Sequence, residues 1–376
     1  MKYYIIAGEA SGDLHGGNLI LSLKAKDSMA EFRCWGGDYM QETSGVDLVK
    51  HFKDTAYMGI IEVIKHLPGI FRNLNYCKQD ILTFSPDVVI LIDYPGFNLR
   101  IAKFLTQKNI PVFYYISPQV WAWHSSRVKK MKKYISHLFV ILPFEQDFFS
   151  RHNWSVHYFG HPLLDEIDDE KKRQNRENIV QDLNAAFDKP IIALLPGSRR
   201  QEVGRILPEM LKCISFFPDY QFVIAGVSSV SSDLYHNIVK GYNVPVIFGQ
   251  THALIQCARV ALVASGTATL ETALLNTPQI VCYRANPVSM AIARKIVRVP
   301  YISLVNLIAG KEVVKELIQQ EVNTGNLVRE LRALLDENSL VRKSMITEYK
   351  LLRQRLGSKG VSEKIAEAMI RFLKRK

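Results

Sequence analysis

Apolar residues in this chain come in short continuous runs that stop at glycine turns, and apolar positions at helical spacing follow each run. Ile191 to Leu195 is one such run, with Val203, Ile206, Leu207, Leu211 and Ile214 behind it. A run of that kind predicts a strand buried on both faces of a parallel sheet, and the spacing behind it predicts an amphipathic helix. The same order recurs at Tyr3 to Ala7, followed by Leu14, Leu19 and Leu23, and at Val260 to Ala264, followed by Leu270, Leu274 and Leu275.

Carried along the chain, the pattern predicts strands at 3–7, 32–36, 87–93, 111–116, 137–142 and 155–159, with helices between them. A second alternation has strands at 191–195, 221–225, 244–248, 259–264 and 279–283. Strand and helix in alternation argue an α/β fold with parallel, doubly wound sheets. The charged run Asp165 to Arg176 interrupts the apolar pattern and reads as a linker or a first exposed helix. The expected organisation is a domain at 1–165, a linker at 166–189 and a second domain at 190–357, the two facing one another across a cleft. With 376 residues, more than one hydrophobic core is expected. No internal repeat or low-complexity segment is visible.

Composition adds a net charge of +12, which calls for an anionic partner: nucleic acid, an acidic membrane or a phosphorylated substrate. The basic residues gather at 127–133, 294–298 and 371–376, and a solvated helix face is the favoured reading of each cluster taken alone. No apolar run approaches the length of a transmembrane helix, and the chain enters its first strand directly, so a cytoplasmic location is expected. Tyr57 to Pro68, running on to Ile70 and Phe71, is strongly apolar; it reads as a buried helix or as one that touches lipid. Cys34, Cys77, Cys213, Cys257 and Cys282 show no metal-ligand spacing and read as reduced packing residues. No metal site and no cofactor are expected.

The chemistry concentrates in the turns. Gly197, Ser198, Arg199 and Arg200 join a permissive backbone, helix N–H groups, a hydroxyl and two guanidinium groups, which suits a diphosphate. An ordinary strand-to-helix loop with solvated arginines uses the same residues. In Ser265-Gly-Thr-Ala-Thr-Leu-Glu271 the glutamate falls about one turn into a helix, where it can grip a ribose. Asp93, at the end of its strand, can serve as a general base if burial or a neighbour raises its pKa; a helix-capping aspartate is the plain alternative. His15 is the competing base, beside a structural reading. Ser117 to Trp123 suits a substrate wall or an aromatic packed loop, and His161 reads as structural. There is no P-loop, the first turn does not fit G-x-G-x-x-G, and no Asp-x-Asp occurs, so a leaving diphosphate would have to be met by arginines and helix N-termini.

Taken together, Gly8-Glu-Ala-Ser-Gly-Asp13, Met58-Gly-Ile-Ile-Glu-Val63, Ile92-Asp-Tyr-Pro-Gly-Phe-Asn98, Ser117-Pro-Gln-Val-Trp-Ala-Trp123, Leu142-Pro-Phe-Glu145, Gly160-His161, Leu195-Pro-Gly-Ser-Arg199 with Glu202-Val203, Ser265-Gly-Thr-Ala-Thr-Leu-Glu271 and Tyr301-Ile-Ser-Leu-Val-Asn-Leu307 resemble the lipid A disaccharide synthases, across nearly the whole chain. The resemblance implies a GT-B fold of two Rossmann-like domains, with the C-terminal helix at 358–376 crossing back to complete the first. It implies an inverting transfer from UDP-2,3-diacylglucosamine to the 6-hydroxyl of 2,3-diacylglucosamine 1-phosphate. By the same likeness, Gly197, Ser198, Arg199, Ser265, Gly266, Thr267, Glu271, Arg284, Asn306 and Glu316 would serve the UDP-sugar. Glu9, Ser11 and Gly12 would serve the acceptor, with Asp93, and His15 nearby, as catalytic groups. Many relatives have a second aspartate where Gly96 stands, which leaves Asp93 the only carboxylate of its motif.

Acylated substrates imply peripheral association with an anionic inner-membrane surface, where lysines and arginines would help hold the enzyme. A homodimer is left open. The runner-up is a UDP-N-acetylglucosamine 2-epimerase on the same architecture. A nucleic-acid-binding module is disfavoured because basic residues are not interleaved with aromatics.

Overall fold

The computed structural model describes residues 1–54, 67–123, 125–286, 290 and 299–374. The Met58 to Val63 motif, most of the 57–71 apolar stretch and the basic cluster at 294–298 therefore lie outside the described residues. The alternation of apolar runs and amphipathic segments becomes two parallel sheets in two compact units, Met1–Asp165 with Gly357–Lys376, and Glu166–Leu356.

The first unit holds β1 (Lys2–Ala7), β2 (Glu31–Gly36), β3 (Leu48–His51), β4 (Val88–Ile92), β5 (Val112–Tyr115), β6 (His137–Val140) and β7 (His157–Tyr158). They lie in the order β3-β2-β1-β4-β5-β6-β7. The second unit holds β8 (Ile191–Leu195), β9 (Gln221–Gly226), β10 (Val246–Phe248), β11 (Ala258–Ala264), β12 (Gln279–Tyr283) and β13 (Lys315–Ile318), in the order β10-β9-β8-β11-β12-β13. Two of these strands, β3 and β13, are absent from the sequence-based expectation. Each is a four-residue edge strand of mixed polarity, too short and too polar to leave a periodic signal.

In both sheets the strand order reverses beside the first strand, between β1 and β4 and between β8 and β11, and ligands of open α/β sheets collect at such points. The register decides which turns meet there. Ala7 pairs with Ile92, so the Gly8 turn emerges beside Asp93; Leu195 pairs with Val263, so the Gly197 turn emerges beside Ser265.

The apolar runs are buried on both faces, as parallel strands require. Tyr4, Ile6, Val89 and Leu91 pack into the core on one side of the first sheet. Tyr3, Ile5, Val88 and Ile90 pack on the other, under Leu19, Ile20 and Leu23 of the helix Ala10–Lys26 and Val361, Ile365 and Met369 of the C-terminal helix Val361–Lys374. The Asp165 carboxylate fixes that last helix, accepting from the N–H groups of Gly360 (2.7 Å), Val361 (2.9 Å) and Ser362 (2.8 Å). These donors have no partner inside the helix itself.

The stretch 166–189, expected as a linker or a first exposed helix, carries the helix Glu170–Ala186, whose Ile179, Val180 and Leu183 join the core of the second unit. Its Arg176 is buried and donates to Gln256 Oε1 at 2.8 Å and to the Ile167 carbonyl. All five cysteines are free thiols, four of them buried. No helix among the described residues is long and apolar enough to cross a membrane.

Removing the Asp165 cap should loosen the helix that covers one face of the first sheet. Asp165→Ala is expected to cost about 1–2 kcal/mol in urea unfolding. Amide exchange should accelerate first in 361–374, and unchanged protection of that helix would show that the cap does not hold it.

Candidate active site

At the carboxyl end of β4 the chain makes a turn that few side chains tolerate. Asp93 (φ 44°) and Tyr94 (φ 49°) both adopt the left-handed conformation before Pro95 starts the helix Pro95–Thr106. Tyr114 Oη and the Asn98 side-chain amide (2.8 Å) both donate to the Asp93 carbonyl, and Asn98 is fully buried. The Tyr94 ring lies against the α-carbon of Gly8: a Cβ there would fall 2.2 Å from Tyr94 Cγ, so only glycine fits.

This packing leaves the Asp93 side chain half-buried, beside Glu9. Burial, and then the charge of Glu9, raise the Asp93 carboxyl to about 7, against the opposing Tyr94 N–H. A carboxylate in that range is suited to general-base work near neutrality. Gly96 takes no part in this crowding, since a Cβ there would meet nothing within 4 Å. The neighbouring carboxylate is supplied instead by Glu9, from the other side of the β1–β4 switch point.

The remaining first-unit candidates separate into exposed and packed groups. Ser11 is exposed at the start of its helix. Gly12 is buried where helix and strand approach closely, its Cβ position 3.3 Å from Ala7 Cβ. Asp13 is a capping residue: its carboxylate accepts from the N–H groups of Gly37 (2.6 Å), Tyr39 and Met40, at the start of the helix Asp38–Ser44. His15 lies inside the unit, edge-on to Tyr115 at 6.5 Å between ring centroids. Burial and the charge of His15 push the His161 imidazole down to about 3, and its Nδ1 accepts from Leu163 N–H.

In the second unit, Gly197 has φ +115°, and a Cβ on it would lie 2.6 Å from Glu202 Oε2. In the turn itself, the Ser198 N–H donates to Glu202 Oε2 (3.2 Å) and Arg199 Nη1 to Glu202 Oε1 (3.1 Å). The helix Arg200–Leu211 thus brings its own carboxylate to the turn expected to take a diphosphate. Ser198 and Arg199 are exposed there, and so are Gly266 and Thr267. Gly266 is extended and its Cβ position is open, so no steric demand calls for glycine.

Glu271, on the helix Thr267–Leu274, pairs with His252 Nε2 at 3.3 Å. His252 also lines a cavity of about 330 Å³ together with Gly249, Gln250, Thr251 and Arg176. Arg284 reaches Glu209 at 3.0 Å; burial opposes ionisation of Glu209, but Arg284 and Lys212 hold its carboxyl below the usual range.

Asn306 and Glu316, expected to serve the UDP-sugar, are engaged with the backbone of nearby turns. Glu316 accepts from the N–H groups of Ile302 (3.0 Å) and Ser303 (2.9 Å), from the Ser303 hydroxyl (2.8 Å) and from the Asn306 amide (2.9 Å). Asn306 is fully buried and accepts from Val313 and Val314. Their polar atoms hold the 302–303 turn, and Ser265 Oγ donates to the Ile302 carbonyl of that turn at 3.0 Å. The pair therefore braces the Ser265 turn from behind. No group of three or more His, Cys, Asp or Glu side chains among the described residues could hold a metal ion.

The model of the Lipid-A-disaccharide synthetase family matches residues 3–369. The Lipid-A-disaccharide synthase of Syntrophus aciditrophicus is 38% identical over 378 residues, covering 99% of this chain and 97% of that protein. That of Trichlorobacter lovleyi is 35% identical, covering 97% and 96%. Among solved structures, a UDP-GlcNAc 2-epimerase from Neisseria meningitidis bound to UDP-GlcNAc superposes with a TM-score of 0.69 over 99% of this chain and all of that one. At 13% identity that likeness shows a shared fold, GT-B, and does not extend to activity. With two parallel sheets, a strained carboxylate turn in the first and sequence kinship along almost its entire length, the chain belongs to the lipid-A-disaccharide synthase family of glycosyltransferases.

Proposed function

We propose that this enzyme transfers the sugar of UDP-2,3-diacylglucosamine to the 6-hydroxyl of 2,3-diacylglucosamine 1-phosphate, giving the β-1,6-linked disaccharide 1-phosphate and UDP. The observation that carries the mechanism is the half-buried Asp93 beside Glu9, with a carboxyl raised to about 7. Asp93 takes the hydroxyl proton as the oxygen attacks the anomeric carbon. The bond from that carbon to the diphosphate oxygen breaks, and its electron pair leaves with UDP. Ser198 N–H and Arg199 receive the charge developing on the diphosphate as Glu202 gives way. Glu271 takes the ribose, the cavity at Gly249–Ala253 the base, and Glu9 and Ser11 the acceptor sugar. Both substrates carry acyl chains, so the reaction runs at an anionic membrane surface, to which a net charge of +12 is suited. The fold shared with 2-epimerases leaves a simple discriminating product, free N-acetylmannosamine.

Acceptor-dependent UDP release, assayed in detergent, is expected to persist in EDTA and to rise with pH through about 7 as Asp93 ionises. Asp93→Asn should lower it by about 10²–10⁴-fold. Release without acceptor dependence, or a fully active Asn variant, would overturn the assignment.

The same substitution has a stability signature. The folded-state pKa of Asp93 is raised, so ionising it costs stability, a cost absent below the ordinary value of 3.8 and complete above about 7. Asp93→Asn should therefore melt above the wild type at pH 8, and the difference should vanish near pH 4.

In the second unit, Arg199→Ala should weaken UDP binding in calorimetry by roughly 10- to 100-fold, the loss of about 1.5–3 kcal/mol of charge-assisted hydrogen bonding. Glu316→Ala should weaken it too, by loosening the turn behind Ser265. Unaltered UDP affinity in both variants would remove the diphosphate from this turn.

A further inference from the structure

The motif Leu142-Pro-Phe-Glu145 takes no part in the chemistry above, yet its glutamate is among the most buried charged groups of the first unit, 1% exposed. Glu145 Oε2 accepts from the N–H groups of Ile141 (3.1 Å) and Leu142 (2.9 Å), the turn that leads from β6 into the helix Pro143–Ser150. Its other neighbours come from the turn after β5. The Ser117 hydroxyl and the Trp121 indole N–H both favour its ionised form. The Ser117 hydroxyl donates to the Pro118 carbonyl at 3.0 Å, while the buried Trp121 Nε1 makes no ordinary hydrogen bond, so this carboxylate is its electrostatic partner. Trp121 also stands edge-on to Phe144 at 4.9 Å, one residue before Glu145.

The segment held in this way starts from a strained residue. Ile116 has φ +65°, a conformation that a β-branched side chain adopts only when its surroundings force it. Ile116 donates to the Phe139 carbonyl of β6, and Asp93 donates to the Tyr115 carbonyl of β5, both at 3.0 Å. The turns after β4, β5 and β6 are thus laced side by side: Asp93 and Ile116 lie on the first two, and the Glu145 side chain reaches back to the third. The 116–121 segment is joined to the Asp93 turn through the Tyr115 carbonyl and, one residue back, through Tyr114 Oη, which also holds the Asp93 carbonyl.

We propose that Glu145 is a positioning residue for the transfer reaction: it clamps the Ser117–Trp121 segment to the turn after β6, and so sets the aromatic wall and the backbone that aim Asp93 at the acceptor. The role rests on the transferase reading above. Burial is the main force on this carboxyl and raises it to about 7, opposed by the Ile141 and Leu142 N–H groups and by Trp121 and Ser117. A buried carboxyl kept at that cost is held by its two backbone donors and by the dipoles turned toward it.

Two substitutions separate positioning from simple folding. Glu145→Gln keeps an oxygen for the two backbone donors and gives up the charge that attracts Trp121. Trp121→Phe keeps the ring against Phe144 and gives up only the N–H. Each should lower kcat/KM for the acceptor by about tenfold, of the size expected when a reacting group is slightly misplaced. Affinity for UDP, bound in the second unit, should stay within twofold, and the thermal midpoint should stay close to that of the wild type. Wild-type kcat and acceptor KM in both variants would overturn the role. So would parallel losses of UDP affinity, activity and melting temperature, the mark of a purely structural group. Absence of acceptor-dependent UDP release from the unmodified enzyme would instead overturn the transferase reading and this role with it.

Discussion

The close approach of the Tyr94 ring to the bare α-carbon of Gly8 is the contact on which the first unit's chemistry depends. It exists because β1 and β4 are adjacent at the point where strand order reverses, with Ala7 opposite Ile92. With no Cβ in the way, the ring closes over β1, and the left-handed turn that carries it leaves the Asp93 side chain among protein atoms beside Glu9. Backbone strain, burial and like charge would each be a defect alone. Burial and like charge together turn a weakly basic carboxylate into one matched to neutral pH, on a turn held in a strained conformation.

A second theme is the use of carboxylates as internal anions. Asp13, Glu145, Asp165, Glu202 and Glu316 each accept from backbone N–H groups at turns or helix starts. Parallel α/β sheets place many such N–H ends along one edge, where bulk water cannot satisfy all of them. Acidic side chains supply the missing acceptors. Glu202 stands apart because its donors, Ser198 N–H and Arg199, are the groups suited to a diphosphate. The protein fills that turn with a charge of the same sign as the proposed ligand.

The parts of this architecture legible in the sequence are those with redundant signals. Val88–Ile92 and Ile191–Leu195 are continuous apolar runs with amphipathic segments behind them, and no other structure accommodates both. The edge strands β3 and β13 lack that redundancy, being short and half-polar. Asp93 could be found because a strand end followed by Tyr-Pro-Gly is a recognisable turn, and its need for a raised pKa could be stated, but its partner Glu9 is 84 positions away and only the strand register brings it near. Asn306 and Glu316 show the converse. A motif preserves the identity of a polar residue but not the direction it faces, and these two face the backbone of their own turn. Glu145 left only its place in a short motif, because a buried clamp has no periodic signature.

The return of the chain to its first unit has a consequence for biosynthesis. One side of the first sheet's core is closed by Val361, Ile365 and Met369, at the far end of the polypeptide. A ribosome must therefore make the whole of Glu166–Leu356 before that apolar surface can be covered. At the usual pace of roughly 5–20 residues per second, the delay is on the order of 10–40 s. During that interval the second unit is free to fold, while the first still exposes the aliphatic face of β1 and β4. A nascent chain stalled or cleaved in this window keeps that side of the sheet only half-roofed.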